Sequence, residues 1–571
     1  MKITGAQAII KSLIAEDCRF IFGYPGGAIM PTYDALFDKK RDIHHILVRH
    51  EQGAVHSAVG FARATNKVGV VIATSGPGAT NLVTGIADAF IDSVPLVCIT
   101  GQVASHLLGT DAFQEADILS ITMPITKWSC QIIHAHEIPS IIRKAFTIAS
   151  EGRKGPVLID ITKDAQINSL VYDDQVSSCL NEHIVKNSTL NKDLRFIEEI
   201  KESAKLINNA RRPIIIAGQG VMAAKAEEIL KKIAQKANIP VVNTLLGLSS
   251  FPNPHPLYKG MLGMHGNYSS NLLCNKSDVV LAIGMRFDDR VTGNLSKYLK
   301  ESRIIHIEID ISEINKNVKV DYFINSDAKK ALEAMFPYIE SNKHEKWLSQ
   351  FDILHKKEEE IVINDEIYPK KGKIRMAEVV FMLSNKTKGK AIIVSDVGQH
   401  QMIAARYYKF HRSNGHISSG GLGTMGFALP AAIGAKIGVG NKREVISIIG
   451  DGSFQMNLQE LAVLNQEQIS VKIIILNNNY LGMVRQWQQM FYEKRYSSTE
   501  ISSPDFIKLA EAYGIKSDRV SNREHVSTAL DKMLDCSSSY LLEIMVEKQD
   551  NVFPMVPQGA SISETLLYHE A

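Results

Sequence analysis

Asp451 and Asn478 are the residues whose types and separation first suggest chemistry. A carboxylate and a carboxamide oxygen are hard donors that suit Mg²⁺, which prefers oxygen ligands and usually keeps phosphate oxygens among them. Each follows a short apolar, β-branched run of the kind that forms a buried strand. Val445 to Ile449 leads into Gly450-Asp451-Gly452, and Val471 to Leu476 ends at Asn477-Asn478-Asn479. Between them Leu458, Leu461, Ala462 and Leu464 share one helical face. In a parallel α/β sheet ligands gather at the carboxyl ends of strands, so both residues are expected to point at one metal–diphosphate site. An ordinary βαβ unit with a polar strand end is the alternative reading of the same residues.

The chain that must position them has 571 residues, too long for one core, and three domains are expected. Hydrophobic content of 45% and charged content of 22% are those of a soluble globular protein. With 64 Lys and Arg against 61 Asp and Glu, no basic field argues for nucleic acid. Six scattered cysteines (Cys18, Cys98, Cys130, Cys179, Cys274 and Cys536) form no CxxC pair, which speaks against a zinc site or disulfide framework. The opening MKITGAQAIIKSLI reads as an amphipathic helix rather than a targeting segment. No apolar run approaches membrane-spanning length. A cytoplasmic protein is expected.

Apolar strands alternate with helical patterns through residues 1 to 165, and such alternation predicts a parallel sheet. Phe20-Ile21-Phe22 runs into Gly23-Tyr24-Pro25-Gly26-Gly27-Ala28, Ile46 to Val48 into Arg49-His50-Glu51, and Val68 to Thr74 into Ser75-Gly76-Pro77-Gly78. A strand–GPG–helix–strand segment here parallels the strand–GDG–helix–strand segment near the end, so the first and last domains are expected to share a topology. Residues 166 to about 195 read as a polar linker. Further strands are read from Ile214 to a glycine end at Gly218-Gln219-Gly220, and at Pro240 to Thr244, Asp278 to Gly284 and Ile304 to Ile309. The stretch from Ser341 to Lys373, with Lys356-Lys357-Glu358-Glu359-Glu360, reads as a solvated helix and linker.

Gly421-Leu422-Gly423-Thr424-Met425-Gly426 formally matches a dinucleotide fingerprint. That fingerprint belongs directly after a hydrophobic strand, whereas His411 to Ile417 precedes it here, so the match is discounted. Glu51, alone, reads as a carboxylate stabilised at a helix N-terminus, and His50 as structural. Trp487 lies one short helix beyond the metal motif.

The segments FGYPGGA, RHEQGAVH, TSGPGATN, DAFQE, GPVLIDITKD, LGMHG, GMRFDDRVTGN, SDVGQHQM, SGGLGTMGFALPAAIG, GDGSFQMNLQEL and NNNYLGMVRQWQ occur in this order. Together they resemble the catalytic large-subunit family of acetohydroxyacid (acetolactate) synthase, and the likeness covers almost the whole chain. The resemblance implies an α/β fold of three doubly wound parallel-sheet domains. These are a thiamine pyrimidine-binding domain over 1–165, a central FAD-binding domain over 190–340 and a diphosphate- and Mg²⁺-binding domain over 374–571.

It also implies roles for single residues. Glu51 stands at the catalytic glutamate, whose carboxyl shares a proton with the cofactor's aminopyrimidine ring. Gly27 and Gln114 match groups that stabilise developing oxyanions, and Lys163 a lysine near the substrate channel. Asp451, Asn478 and the Tyr480 carbonyl match the Mg²⁺ ligands. Gly423 would accept the 4′-amino group, Met425 would prop the bent cofactor, and Val397, Gly398, Gln399 and His400 would face the diphosphate. The contact set extends to Gly450, Gly452, Ser453, Leu481, Gly482 and Met483. Arg290, Met483 and Trp487 match substrate contacts, Trp487 favouring 2-oxobutanoate over pyruvate. A structural, non-redox FAD would lie against Arg153, Gly218, Gly220, Thr244, Leu245, Met264, His265, Gly284, Arg286, Asp288, Arg290, Glu308, Asp310 and Asp327.

The implied reaction is decarboxylation of pyruvate and transfer of its hydroxyethyl unit to a second pyruvate or to 2-oxobutanoate. The implied assembly is a homodimer or dimer of dimers with shared active sites, plus a separate small regulatory subunit. A flavin-using pyruvate oxidase is the nearest rival, and GMRFDDRVTG and MVRQWQ speak against it. The carboxylate at position 51 disfavours glyoxylate carboligase. A non-catalytic relative would be expected to lack Glu51, Asp451 or Asn478, and all three are present.

Overall fold

A computed structural model describes residues 1–173 and 189–568. Three sheets, each of six strands paired wholly in parallel, follow one another along the chain. They run from Phe20–Gly23 to Pro156–Thr162, from Pro213–Ala217 to Tyr322–Asn325 and from Ile392–Ser395 to Tyr540–Met545. Their inner strands, such as Gly69–Ala73, Val279–Ile283 and Val445–Gly450, are buried along their whole length. Helices cover both faces, which is why these strands read as continuous apolar runs rather than alternating ones.

Counted along the chain, the strands of the first and last sheets both stand in the order 2-1-3-4-6-5, so the repeat seen in the sequence is a repeat of topology. The middle sheet has the order 3-2-1-4-5-6 of a doubly wound nucleotide-binding domain. Its switch point lies between Pro213–Ala217 and Val279–Ile283.

The first and last units meet through two crossing helices, Glu51–Thr65 and Ala428–Val439. Gly60 lies against the Ala431 carbonyl and Gly434 against the Ser57 carbonyl, so a Cβ at either position would collide with backbone oxygen. Ser57 Oγ donates to the Pro430 carbonyl at 2.8 Å across the same contact.

Several strands escaped the sequence reading. Trp128–Ile132 and Lys516–Val520 are sheet edges whose mixed composition carries no apolar run. His416–Ile417 is an edge strand of two residues ahead of the glycine loop, where none was expected. Lys2–Thr4 pairs antiparallel with Ser169–Val171 before the first helix begins at Gly5, and the latter strand occupies the start of the expected linker. The polar residues Ser177, Ser178, Asn181 and Glu182 of that linker lie outside the described residues.

The stretch from Ser341 to Lys373 corrects the expectation of a solvated linker. Trp347, Phe351 and Glu358 of helix Glu345–Glu358 are buried. Glu358 is 0% exposed and pairs with Arg406 at 2.6 Å, while accepting from Tyr268 N at 2.8 Å. Arg406 also donates to the carbonyls of His265 and Gly266 at 3.3 Å. The charge run hid this, because composition does not say which of three neighbouring glutamates turns inward.

Removing one partner of a buried, hydrogen-bonded pair leaves the other charge uncompensated. Glu358→Ala is therefore expected to lower unfolding stability by about 3–5 kcal/mol in denaturant titration. A loss within experimental scatter would refute a structural role for the pair.

Candidate active site

Parallel pairing sets Gly450 opposite Leu476, so the strands carrying Asp451 and Asn478 end side by side. Asn478 N donates to Asp451 Oδ1 at 3.4 Å and Ser503 Oγ to Oδ2 at 3.3 Å. The Asn478 carboxamide oxygen accepts from Tyr480 N at 3.1 Å, which bends the chain into helix Gly482–Phe491. Burial pushes the Asp451 carboxyl up to about 6. The corner offers a carboxylate, a carboxamide and backbone carbonyls, hard oxygens that fit a small divalent cation.

Beside it lies a narrow cradle. A Cβ at Gly450 would stand 2.8 Å from the His400 ring, and one at Gly482 would collide with Gln399 Oε1. Burial holds the His400 imidazole neutral, at about 3, and its Nε2 has no hydrogen-bond partner in the structure. Ser453 Oγ donates to the Val397 carbonyl at 3.2 Å, tying the metal-side helix to the Val397–His400 turn. An unpartnered buried nitrogen next to side-chain-free backbone and a hard-oxygen corner fits a diphosphate with its metal.

Asp396, to which the sequence reading gave no role, fixes this turn. Its carboxylate accepts from Val397 N and Ala428 N at 2.8 Å and from Gly426 N at 3.0 Å. The turn is thereby joined to the loop carrying Gly423 and Met425. Gly423 sits at φ +70, and a Cβ there would meet only Val397 Cγ1, at 3.9 Å.

A cavity of about 940 Å³ opens where the carboxyl edge of the middle sheet faces this loop. Val397, Gly398, Gly423, Met425, Met483 and Trp487 line it from the last unit. Thr244, Leu245, Gly284, Arg286 and Glu308 line it at the ends of the middle strands, with Asp327 just beyond. Met264, His265, Asp288, Arg290, Arg153 and Gly220 complete the expected residues in the wall. Gly218 and Asp310 do not line it: Gly218 N donates to the Ile283 carbonyl at 2.9 Å, and Asp310 pairs with Arg153 at 3.1 Å. Burial raises Glu308 to about 6. A long cavity at the switch point of a doubly wound sheet fits a dinucleotide. Trp487, in the cavity wall, packs edge-on against Phe491, ring centroids 5.4 Å apart.

Glu51 lies elsewhere. It opens helix Glu51–Thr65 at the carboxyl edge of the first sheet, 8% exposed, and accepts from Asn81 Nδ2 at 2.9 Å. Gly76 packs on the Gln114 backbone and Gly78 on Glu51, while Gly27 has open space on its side-chain side. Lys163 begins a short helix at the end of strand Pro156–Thr162 and is exposed. None of Glu51, Gly27, Gln114 and Lys163 lines the large cavity. At the far end of the Glu51 helix, Arg63 donates to the Ser418 carbonyl at 2.6 Å. Twelve residues at about 1.5 Å each put Glu51 roughly 18 Å along the helix from that contact. The chain therefore presents two separate groups of candidate residues.

Asn81 and Glu460 carry no sequence signal of their own, although they lie in the segments TSGPGATN and GDGSFQMNLQEL. Glu460, 0% exposed, reaches from the last unit to accept Arg49 N at 3.0 Å, just ahead of Glu51. Among the described residues no group of three or more His, Cys, Asp or Glu is placed to hold a metal ion by itself, and no helix is long and apolar enough to cross a membrane.

Three family models match the chain in sequence order. They are the N-terminal TPP-binding, central and C-terminal TPP-binding domains of thiamine pyrophosphate enzymes, over residues 3–121, 200–335 and 396–544. The chain is 45% identical to a probable acetolactate synthase large subunit of Methanocaldococcus jannaschii, over 98% of this chain and 94% of that one. It is 44% identical to the acetolactate synthase large subunit of Buchnera aphidicola from Schizaphis graminum, over 99% and 98%. It is 42% identical to the acetolactate synthase isozyme 2 large subunit of Escherichia coli K12, over 99% of both chains.

Burial raises Glu460 from 4.5 to about 7. The folded chain then holds a proton that the unfolded chain has lost, so this group's contribution is complete below about 4.5 and disappears as pH rises through 7. Relative to Glu460→Gln, the wild-type protein is expected to lose about 3 kcal/mol of stability across that window. Parallel stability–pH curves for the two proteins would rule the effect out.

Proposed function

The chain belongs to the acetolactate synthase large-subunit family of thiamine diphosphate enzymes, and from that membership we propose how its residues divide the work. The reaction decarboxylates pyruvate and transfers the remaining two-carbon unit to a second 2-oxo acid. Pyruvate as acceptor gives 2-acetolactate and 2-oxobutanoate gives 2-aceto-2-hydroxybutanoate, at the start of branched-chain amino-acid synthesis. Thiamine diphosphate, when bound, supplies the carbon nucleophile that pyruvate itself lacks. The observation that most supports the residue assignment is the meeting of Asp451 and Asn478, 27 residues apart, at neighbouring strand ends.

Asp451, Asn478 and the Tyr480 carbonyl hold Mg²⁺, and the Gln399–His400 turn receives the diphosphate. Glu51 exchanges a proton with the aminopyrimidine ring, its carboxylate oriented by Asn81. The Gly27 N–H and the Gln114 carboxamide stabilise negative charge on the reacting oxygen. The cavity above the middle sheet holds FAD, in a structural role because the reaction has no net redox change. Trp487 packs against the extra methyl group of 2-oxobutanoate. The large-subunit names of the relatives support a separate small subunit as partner.

The separation of Glu51 from the cavity supports a homodimer in which each Glu51 serves the cofactor held by the other chain. Purified protein with thiamine diphosphate, Mg²⁺ and FAD is expected to make acetolactate from pyruvate without oxygen uptake. Acetate or acetyl phosphate formed with oxygen uptake would move the assignment to an oxidase. Glu51→Gln and Asp451→Asn chains, each nearly inactive, are expected to regain about a quarter of wild-type activity when refolded together. Half the dimers are then mixed, and each mixed dimer has one intact site. No recovery from the mixture would mean that each chain completes its own site.

Substitution of Trp487 by Leu should reduce the preference for 2-oxobutanoate roughly tenfold or more, since one methylene commands about that factor. Competition between the two acceptors measures it directly, and an unchanged product ratio would remove Trp487 from the specificity site.

A further inference from the structure

Two carboxylates stand where helix energetics disfavours them. Asp88 and Asp92 lie one turn apart at the C-terminal end of helix Val83–Ile91 in the first unit, 1% and 3% exposed. Like charges at this spacing repel, and the helix terminus adds its own negative end. Their compensation comes mostly from the last unit. Asp92 Oδ2 accepts from Gly420 N and Oδ1 from Gly421 N, each at 2.8 Å. Asp88 accepts from Ser419 Oγ, which in turn accepts from Thr424 N at 2.8 Å. Arg63 stands 3.9 Å from Asp92 and donates to the Ser418 carbonyl. The backbone carbonyl of Asp92 accepts from Gln219 of the middle unit at 2.9 Å.

The glycine loop is thus gripped on both sides of Gly423. Backbone N–H groups that could have held a phosphate are taken by a carboxylate of the same chain. Asp92 and the Gly420–Gly423 segment share the wall of the large cavity.

We propose that Asp88 and Asp92 are positioning residues for the cofactor's aminopyrimidine, acting through the Ser419–Thr424 loop of their own chain. This rests on the thiamine diphosphate reading above. Each first unit then has two separate duties: its Glu51 serves the partner's cofactor, while its Asp92 shapes the loop that receives its own.

The test is Asp92→Asn. A carboxamide has one acceptor oxygen where the carboxylate has two, so one glycine N–H loses its partner and faces an NH₂ group. The dissociation constant for thiamine diphosphate with Mg²⁺, read without turnover by calorimetry, should rise roughly tenfold or more, as for loss of a buried charge-assisted hydrogen bond. Mixed refolding supplies a readout that general destabilisation would not produce. At thiamine diphosphate too dilute to load a weakened site, Asp92→Asn should restore activity with Glu51→Gln but not with Asp451→Asn, because Asp92 and Asp451 serve the same site.

Wild-type saturation and turnover in folded Asp92→Asn overturns the proposal, as does recovery with Asp451→Asn instead of Glu51→Gln. If Asp92→Asn does not fold, Asp88→Ala, which strips Ser419 of its acceptor, is judged by the same two readouts. A wild-type protein whose turnover needs no thiamine diphosphate would defeat the functional reading itself. Failure of Glu51→Gln and Asp451→Asn to complement each other would defeat only the shared-site assembly, and cofactor saturation would then decide.

Discussion

Backbone touches backbone where helix Glu51–Thr65 crosses helix Ala428–Val439. With Gly60 and Gly434 at the crossing, no side chain separates the helices, so their relative position has little freedom. One rigid helix then fixes two things at once. Its first residue is Glu51, near Asn81 and Glu460, and its Arg63 end reaches the loop ahead of Gly423. A side chain at either glycine would force the helices apart and displace both ends. Interiors are close-packed and tolerate such insertion poorly.

The two halves of the chain are joined by carboxylates that bind backbone N–H groups. Asp92 takes two glycine amides and Glu460 takes Arg49 N across that junction, while Asp396 takes three amides within the last unit. Each lies buried, and burial raises the pKa of each. A carboxylate with two oxygens can organise a turn from outside it, which a hydrophobic contact cannot do, because dispersion has no direction. The loops that would meet a cofactor are held in this way. The sheets beneath are held by apolar burial.

The glycine loop at 421 and the middle domain show why a motif and a fold must be judged separately. The loop has the spacing of a dinucleotide fingerprint, yet Asp92 occupies its amides. The middle sheet has the strand order of a nucleotide-binding domain, and the same spacing recurs after its first strand as Gly218-Gln219-Gly220-Val221-Met222-Ala223, with alanine in the last place. What suits it to a dinucleotide is the cavity at its switch point, built from strand ends far apart in sequence.

Much of this was legible in the sequence because it is local. The buried runs Val445–Gly450 and Lys472–Asn477, the turn at Gly450-Asp451-Gly452 and the helix start at Glu51 each follow from neighbours within a few residues. The ordered motifs carried the family and its chemistry. Edge strands such as Lys516–Val520 were not legible, since pairing on one side needs no apolar run. The roles of Asn81, Asp396 and Glu460 were not legible either, although all three lie in recognised segments. The repulsive spacing of Asp88 and Asp92 was present in the sequence, but it gained meaning only when the glycine loop closed over it. Their partners lie up to several hundred residues away, and only tertiary packing determines which buried carboxylate meets which amide. For the same reason composition placed Glu358 in solvent and the fold placed it against Arg406. Sequence fixes what each segment can form, because that depends on near neighbours. Which polar groups must satisfy one another depends on which surfaces lose their water, and that is settled only by the folded chain.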